Sequence, residues 1–349
     1  MNLIRFACFF CLWCGMASLY AGDGGWQEAD TRAAALLEKG EYRQAEAAAG
    51  QAVALAEKNG AAYPDVANCL ARLAEACDEQ LKHAQAEPFH QRALKITEEA
   101  CGPNHPAVAA CLVNLAENYG EQEKYRLAQP LYIRALAILE KARGPEHPDV
   151  ADCLCRLAKH DDDQEEYKLA EPLHKRALAI LEKTRGQEHP DVAKCLGGLA
   201  EHYDAQEEYG LAEPLHKRAL AIIEKANGPE PELADCLDKL ANHYSEQEKY
   251  KKAEPLYRRA LQIMEKARGT DHLDLIDYLQ GLAENCQDMK KYAEAESLYQ
   301  RALTLAKTNF GVDNSETISL RKELARLRRE MADPQDRNPS KPNDRKGKK

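Results

Sequence analysis

The sequence predicts an all-α fold, a solenoid of about seven antiparallel helix pairs with a C-terminal capping helix. Three observations predict it. The chain copies itself at a nearly fixed period through most of its 349 residues. Each copy divides into two stretches whose apolar residues recur at helical spacing. Alanine, leucine, glutamate and lysine dominate over aromatics and glycine, a composition that favours helices over sheets. Length alone would suggest two or more globular domains, but units that cannot bury an apolar face alone must stack into one array.

Residues 1–21 read as an export signal. Arg5 supplies a positive start, and Phe6 to Tyr20 is apolar but short for a bilayer span. Gly15/Ala17 and Leu19/Ala21 are candidate cleavage pairs. Cys8, Cys11 and Cys14 raise lipidation as an alternative, although Phe10 and Trp13 occupy places where that signal wants small residues. An uncleaved anchor is the other alternative. The expected location is therefore exported, periplasmic or secreted, with membrane contact only through this N-terminus.

Residues 22–62 form a degenerate first helix pair, with a weak copy opening at Tyr42. Six repeats of about 42 residues then occupy 63–310. Their second halves open at His83, Tyr125, Tyr167, Tyr209, Tyr250 and Tyr292, with spacings of 42, 42, 42, 41 and 42. The first helix of each repeat reads V-A-x-C-L-x-x-L-A-x-x-Y; in the third these positions include Val150, Ala151, Leu154, Leu157 and Ala158. In the second helix the expected stripe is Ala170, Leu173, Ala177, Leu178 and Leu181. Gly186 and Pro190 mark its end. Pro88, Pro130, Pro172, Pro214 and Pro255 are expected within the first turn, where a lost amide has no helical partner. Residues 311–333 are a capping helix, and 334–349 a disordered basic tail lacking apolar residues to bury.

Counted from the first helix, each repeat has leucine at positions 4 and 7 and alanine at 8, 20 and 27. Tyrosine recurs at 11, and tyrosine or histidine at 24. This pattern resembles the tetratricopeptide repeat. The 42-residue period and the linker G-P-E-H-P-D-V-A resemble the kinesin light chain subtype, over roughly residues 27–310. The resemblance implies a right-handed superhelix whose first helices line a concave groove for an extended protein or peptide segment. Positions 6 and 9 would then face the partner, which places Arg72, Asn114, Arg156 and Lys239 with Glu75, Glu117, Lys159 and Glu201 in the groove. Only Asn114 keeps the asparagine usual in kinesin light chains before the Leu-Ala pair. Two partner chemistries follow: a mixed-charge or Lys/Arg-bearing segment along the acidic rows, or a peptide carboxylate held by Arg72, Asn114 and Arg156. These charges could also be simply the solvated face of the array.

The net charge of −10 combines a basic tail with a repeat body near −14, which argues against a nucleic-acid partner. Cys69, Cys111, Cys153, Cys195 and Cys236 share one repeat position and read as small packing residues. Equivalent positions on packed helices lie about 10 Å apart, too far for a disulfide ladder. His105, His147 and His189 recur in the linkers as turn-packing residues. His160, His202 and His243 follow Cys153, Cys195 and Cys236 by seven residues, about 10 Å along one helix and too far to chelate one ion. Only contacts between helices could gather Cys, His and Asp. No phosphate loop, nucleophile elbow, Cx2C or HExxH motif appears, so no catalytic residue, metal ligand or cofactor is assigned. The expected function is a non-catalytic interaction scaffold. The alternatives are a thiol- or metal-responsive scaffold using the repeated cysteines, and a structural spacer.

Overall fold

The computed structural model describes residues 25–226 and 230–332; the signal and tail expectations lie outside these residues. Fifteen helices and no strand occur among the described residues. The first pair is α1 (Gly25–Lys39) and α2 (Tyr42–Lys58). Repeats 1 to 3 are α3 (Tyr63–Asp78) with α4 (His83–Cys101), α5 (Pro106–Glu121) with α6 (Tyr125–Arg143), and α7 (Pro148–Asp163) with α8 (Tyr167–Arg185). Repeats 4 to 6 are α9 (Pro190–Ala205) with α10 (Tyr209–Lys225), α11 (Glu230–Glu246) with α12 (Tyr250–Arg268), and α13 (Leu275–Asp288) with α14 (Tyr292–Phe310). The last helix is α15 (Ser315–Ala332). The chain forms two compact units that divide after His243. No helix among the described residues is long and apolar enough to cross a membrane.

Two junctions repeat along the chain. The second helices of five repeats end at Gly102, Gly144, Gly186, Gly269 and Gly311, with φ from 85° to 92° and ψ from 155° to 172°. That backbone region is essentially closed to residues with a Cβ. The next helix then opens on proline at its first position, capped by the preceding histidine: Nδ1 of His105, His147 and His189 accepts the amide of Ala107, Asp149 and Asp191 at 3.1–3.2 Å. The linker histidines are thus helix caps, meeting amides that the first turn leaves without helical partners. Within each repeat, the turn between its two helices places one non-glycine residue at positive φ: Leu81, Glu123, Glu165, Glu207, Glu248 and Lys290.

In the first compact unit the expected stripe of α7 is buried in full: Val150, Ala151, Leu154, Leu157 and Ala158. Ala158 and Ala170 are completely covered, which is why only small residues serve where the two helices of a repeat meet. The stripe of α8 differs from expectation. It consists of Ala170, His174, Ala177, Ile180 and Leu181, while Leu173 and Leu178 are half-buried at its edge. The prolines also correct the expectation. Each is the sixth residue of its helix, so Pro130 removes a bond to the Arg126 carbonyl rather than a free first-turn amide. All five are solvent-exposed, on the face where a freed carbonyl is cheapest to leave.

The second unit repeats this construction. Leu275, Leu279 and Leu282 of α13, Tyr257 of α12 and Tyr299 of α14 are all buried. Gly281 lies against Tyr257, where a Cβ would come within 2.9 Å of Cε1. α15 buries Thr317, Leu320, Leu324 and Leu327 and leaves its basic face outward.

Candidate functional site

The candidate partner face is the row of first helices α3, α5, α7 and α9 in the first unit. Their charges are mostly spoken for by the neighbouring repeat. Arg72 Nε donates to Asp30 of α1 at 2.7 Å. Arg156 pairs with Glu117 of the preceding repeat and with Asp152 on its own helix, the latter at 3.0 Å. Lys239 lies 3.1 Å from Glu201 of the preceding repeat and 3.7 Å from Asp235. The structure therefore brings Arg156 to Glu117 and Lys239 to Glu201, as position 6 of one repeat against position 9 of the one before. Arg72 is thereby drawn towards α1 and Arg156 towards α5. Asn114 and Glu75 are half-buried on α5 and α3. Lys159 is exposed, with Asp163 and Glu201 as its electrostatic neighbours. The four helices carry thirteen carboxylates against four lysines and arginines, so a negative surplus remains after this pairing.

Beneath this row lies a second constellation that sequence reasoning did not assign. The aspartate at position 12, the histidine at position 24 and the residue at position 10 of the next repeat meet at the seam between repeats. In the seam from repeat 3 to 4, a carboxylate can only accept, so both ring nitrogens facing it carry protons. His174 Nε2 donates to Asp162 Oδ2 at 2.8 Å, and His202 Nδ1 donates to Oδ1 at 2.5 Å. Gln206 Nε2 donates in turn to His202 Nε2 at 2.9 Å. The next seam repeats the arrangement: His216 Nε2 and His243 Nδ1 donate to Asp204 at 2.7 and 2.6 Å. All four histidines are 2% exposed or less. Ring centroids lie 5.6 Å apart for His174 and His202, and 5.3 Å for His216 and His243.

A variant occupies the seam from repeat 1 to 2. His83 and His90 donate to Asp78 at 3.1 and 2.7 Å, and Asn118 Nδ2 donates to the same carboxylate at 2.7 Å. Burial alone would raise the Asp78 carboxyl, but the hydrogen bonds from His83, His90 and Asn118 outweigh it and hold it below the usual range. Where position 12 is Gly120, Ser245 or Gln287, position 24 is instead a tyrosine: Tyr132, Tyr257 or Tyr299. Aspartate and histidine enter together or not at all. The signal was legible as a D-x11-H spacing within three repeats, with a further histidine 40 residues after Asp162 and 39 after Asp204. A search confined to one helix misses it.

The cysteines at position 3 face the preceding second helix, where Cys153 Sγ lies 3.8 Å from the Tyr132 carbonyl and Cys195 Sγ 3.8 Å from that of His174. Burial pushes the thiols of Cys69, Cys153 and Cys236 up to about 12. Such groups carry negligible thiolate at neutral pH, which supports the packing reading. Cys155, outside the shared position, brings its sulfur within 3.4 Å of Cys195; all nine described cysteines are free thiols.

Six overlapping stretches, residues 29–99, 79–141, 119–183, 162–225, 232–308 and 278–336, match the tetratricopeptide repeat family. The chain belongs to this family. BtubC (BKLC) from P. vanneervenii is 21% identical, covering 71% of this chain and 94% of its own at a TM-score of 0.50. The apo form of RapI is 16% identical and covers 86% of this chain and 99% of its own, with a TM-score of 0.57. A Rap protein complexed with competence and sporulation factor is 15% identical, with 88% and 98% covered and a TM-score of 0.54. At these identities the likeness concerns the fold. No curated protein matches the chain. Tetratricopeptide repeat proteins are interaction scaffolds, and protein or peptide segments are the partners of such arrays.

Proposed function

We propose that the first helices of repeats 1 to 4 bind an extended partner segment bearing lysine or arginine, and that the chain does no chemistry on it. The observation that carries this reading is the charge balance of the face. Of the four bases on these helices, Arg72 and Arg156 are engaged by carboxylates of the preceding helix pair and Lys194 by Glu232 of the following repeat, while thirteen carboxylates stand on the same helices, ten of them outside the histidine seams of Asp78, Asp162 and Asp204. A net negative face steers a basic segment and repels an acidic one. The carboxylate-gripping alternative would require Arg72 and Arg156 to leave Asp30 and Glu117. A Rap protein complexed with competence and sporulation factor offers a precedent for ligand binding on this fold.

The N-terminal pattern of Arg5 followed by Phe6 to Tyr20 supports export of the chain, and N-terminal sequencing of the mature protein tests that reading. The binding reading is tested with an array of extended peptides of graded charge, probed with the full chain at two salt concentrations. Lysine- and arginine-bearing peptides should bind, weaken with salt, and be lost on Glu79→Lys/Glu121→Lys, which reverses the charge at the C-terminal ends of α3 and α5. Retention of carboxylate-terminated peptides instead, lost on Arg72→Ala/Arg156→Ala, would reverse the assignment. Absence of any peptide binding would leave the array a spacer.

A further inference from the structure

We propose that the two buried Asp-His-His clusters, Asp162/His174/His202 and Asp204/His216/His243, are binding sites for a borderline divalent metal ion of the zinc class, one ion per seam between repeats. In each cluster one ligand atom from each of the three residues lies within 4.8 Å of the other two. Two imidazoles and one carboxylate are a donor set that suits zinc, nickel or cobalt, whereas calcium and magnesium take oxygen. The three residues come from three different helices: for the first site, the first and second helices of repeat 3 and the first helix of repeat 4. An ion there would fasten consecutive repeats.

The geometry requires only small adjustment. Bonds of about 2.0–2.1 Å in tetrahedral geometry put ligand atoms about 3.3 Å apart. The donor–acceptor distances in the two clusters are 2.5–2.8 Å. The carboxylate and each ring must therefore separate by about 0.5–0.8 Å, and the two ring nitrogens, within 4.8 Å of each other, must settle near the same spacing. Each ring remains neutral on binding by carrying its single proton on the nitrogen that does not ligate. For His202 that nitrogen already faces the Gln206 side-chain amide, whose oxygen can accept the proton after the amide turns over. The carboxylate is the least covered member, with 15% of the Asp162 side chain exposed, and gives the ion its way in.

A second observation belongs to the first site. Nδ1 of His174 is buried without a hydrogen-bond partner, against Gly198, where a Cβ would sit 3.7 Å from it and 3.3 Å from Cε1. This nitrogen faces away from Asp162 and is not the ligand atom; it is where the ring proton would sit with Nε2 on the ion. The hydrogen-bond network thus leaves this histidine incompletely satisfied. The chain also supplies its own control: at the Asp78 seam Asn118 replaces the inter-repeat histidine and its amide occupies the carboxylate.

The test is titration of the chelator-stripped, reduced full chain with Co(II), followed by its visible d–d absorption, and with Zn(II), followed by thermal unfolding. Two equivalents of Co(II) should bind. Asp162→Gly/His174→Tyr should bind one, and adding Asp204→Gly/His216→Tyr should abolish binding. These replacements reproduce the Gly120 and Tyr132 pair that the chain folds with in repeat 2, and far-UV circular dichroism confirms that each variant is helical. Zn(II) at one hundred times its dissociation constant should shift the folded-to-unfolded ratio about a hundredfold per site in the wild type, and leave the four-substitution variant unmoved. No cobalt uptake by the folded wild type would overturn the proposal. So would uptake that survives the four substitutions, or a sulfur-to-cobalt charge-transfer band showing that the thiols hold the ion.

Discussion

The seam between repeats 2 and 3 and the seam between repeats 3 and 4 share one backbone plan and differ in chemistry. At the first, Gly120 and Tyr132 stand at positions 12 and 24, and His160 of the next repeat lies 5.4 Å from the tyrosine ring. At the second, Asp162 and His174 stand there, and His202 lies 5.6 Å from the histidine ring. Both second-seam rings now point nitrogens at a carboxylate. Gln164 and Gln206 donate to the equivalent histidines at 2.9 Å in both. The difference teaches that helix spacing is set by the alanines and leucines, which the two seams have in common. The polar cluster is an addition that this spacing tolerates. A group that packing does not require, yet enters as a matched set, is where function beyond the fold belongs.

The largest effect should come from breaking the set. Asp162→Ala leaves two buried ring donors without an acceptor, which costs about 2–5 kcal/mol. The pair change Asp162→Gly/His174→Tyr should cost less than Asp162→Ala alone, although it alters more atoms. Urea denaturation of wild type, both single variants and the pair gives the coupling, expected to be about 1–3 kcal/mol. Additive single costs would mean that the second seam is not a matched unit.

Alkaline pH tests what the seams share. The thiols at position 3 pack against the preceding second helix in the same way, and burial holds Cys153 near 12 in the folded chain, above the ordinary value of 9.0. A group whose folded value is raised contributes stability below the unfolded value and loses it as pH climbs toward the folded one. Stability should therefore fall between pH 9 and 12 by about 1.4 kcal/mol per pH unit for each such thiol. Cys69 and Cys236, also raised to about 12, and Cys77 and Cys286, raised to about 11, act in the same direction. Cys153→Ala should flatten the decline by one thiol's share. An unchanged slope would show that the thiol ionises without unfolding.

A smaller effect is expected from building the second chemistry into the first seam. Gly120→Asp/Tyr132→His places both missing members opposite His160, and should cost no more than about 2 kcal/mol, much of it from the smaller ring. Cobalt binding should rise from two equivalents to three. A folded variant that still binds two would mean that His160 is not placed as His202 is.

How far these features were readable in the sequence depends on what fixed them. Leu154, Leu157, Ala158 and Ala170 were legible because a helical period and a 42-residue repeat both point to them. Pro130 was assigned one turn too early, since the helix begins at Tyr125, before the apolar stripe itself. Of the proposed partner face, the sequence displayed the charged residues but not their mutual pairing. Arg156 and Glu117 are 39 residues apart, and only the stacking of repeats makes them neighbours. The Asp-His-His sets left only a spacing in the sequence, and their assembly depends on the same stacking: their members lie 12 and 40 residues from Asp162 and on three helices.

The smallest effect concerns the turns, which should be blind to seam chemistry. Glu123 stands two residues past α5 and Glu165 two past α7, with φ of 58° and 63°, a left-handed conformation that a side chain opposes. The following residue closes each turn by donating from its amide to a carbonyl five residues back: Lys124 to Tyr119 and Glu166 to Asp161, both at 2.8 Å. Glycine at either site removes the side-chain clash, worth about 1–2 kcal/mol, and adds backbone freedom to the unfolded chain, which offsets about half of it. Glu123→Gly and Glu165→Gly should each raise stability by about 0.5–1 kcal/mol in urea denaturation, and by equal amounts. Equal gains would confirm that the backbone is common to both seams and that Asp162, His174 and His202 lie within an unaltered frame. A gain at Glu123 alone would mean that the neighbouring cluster already strains or anchors the turn at Glu165.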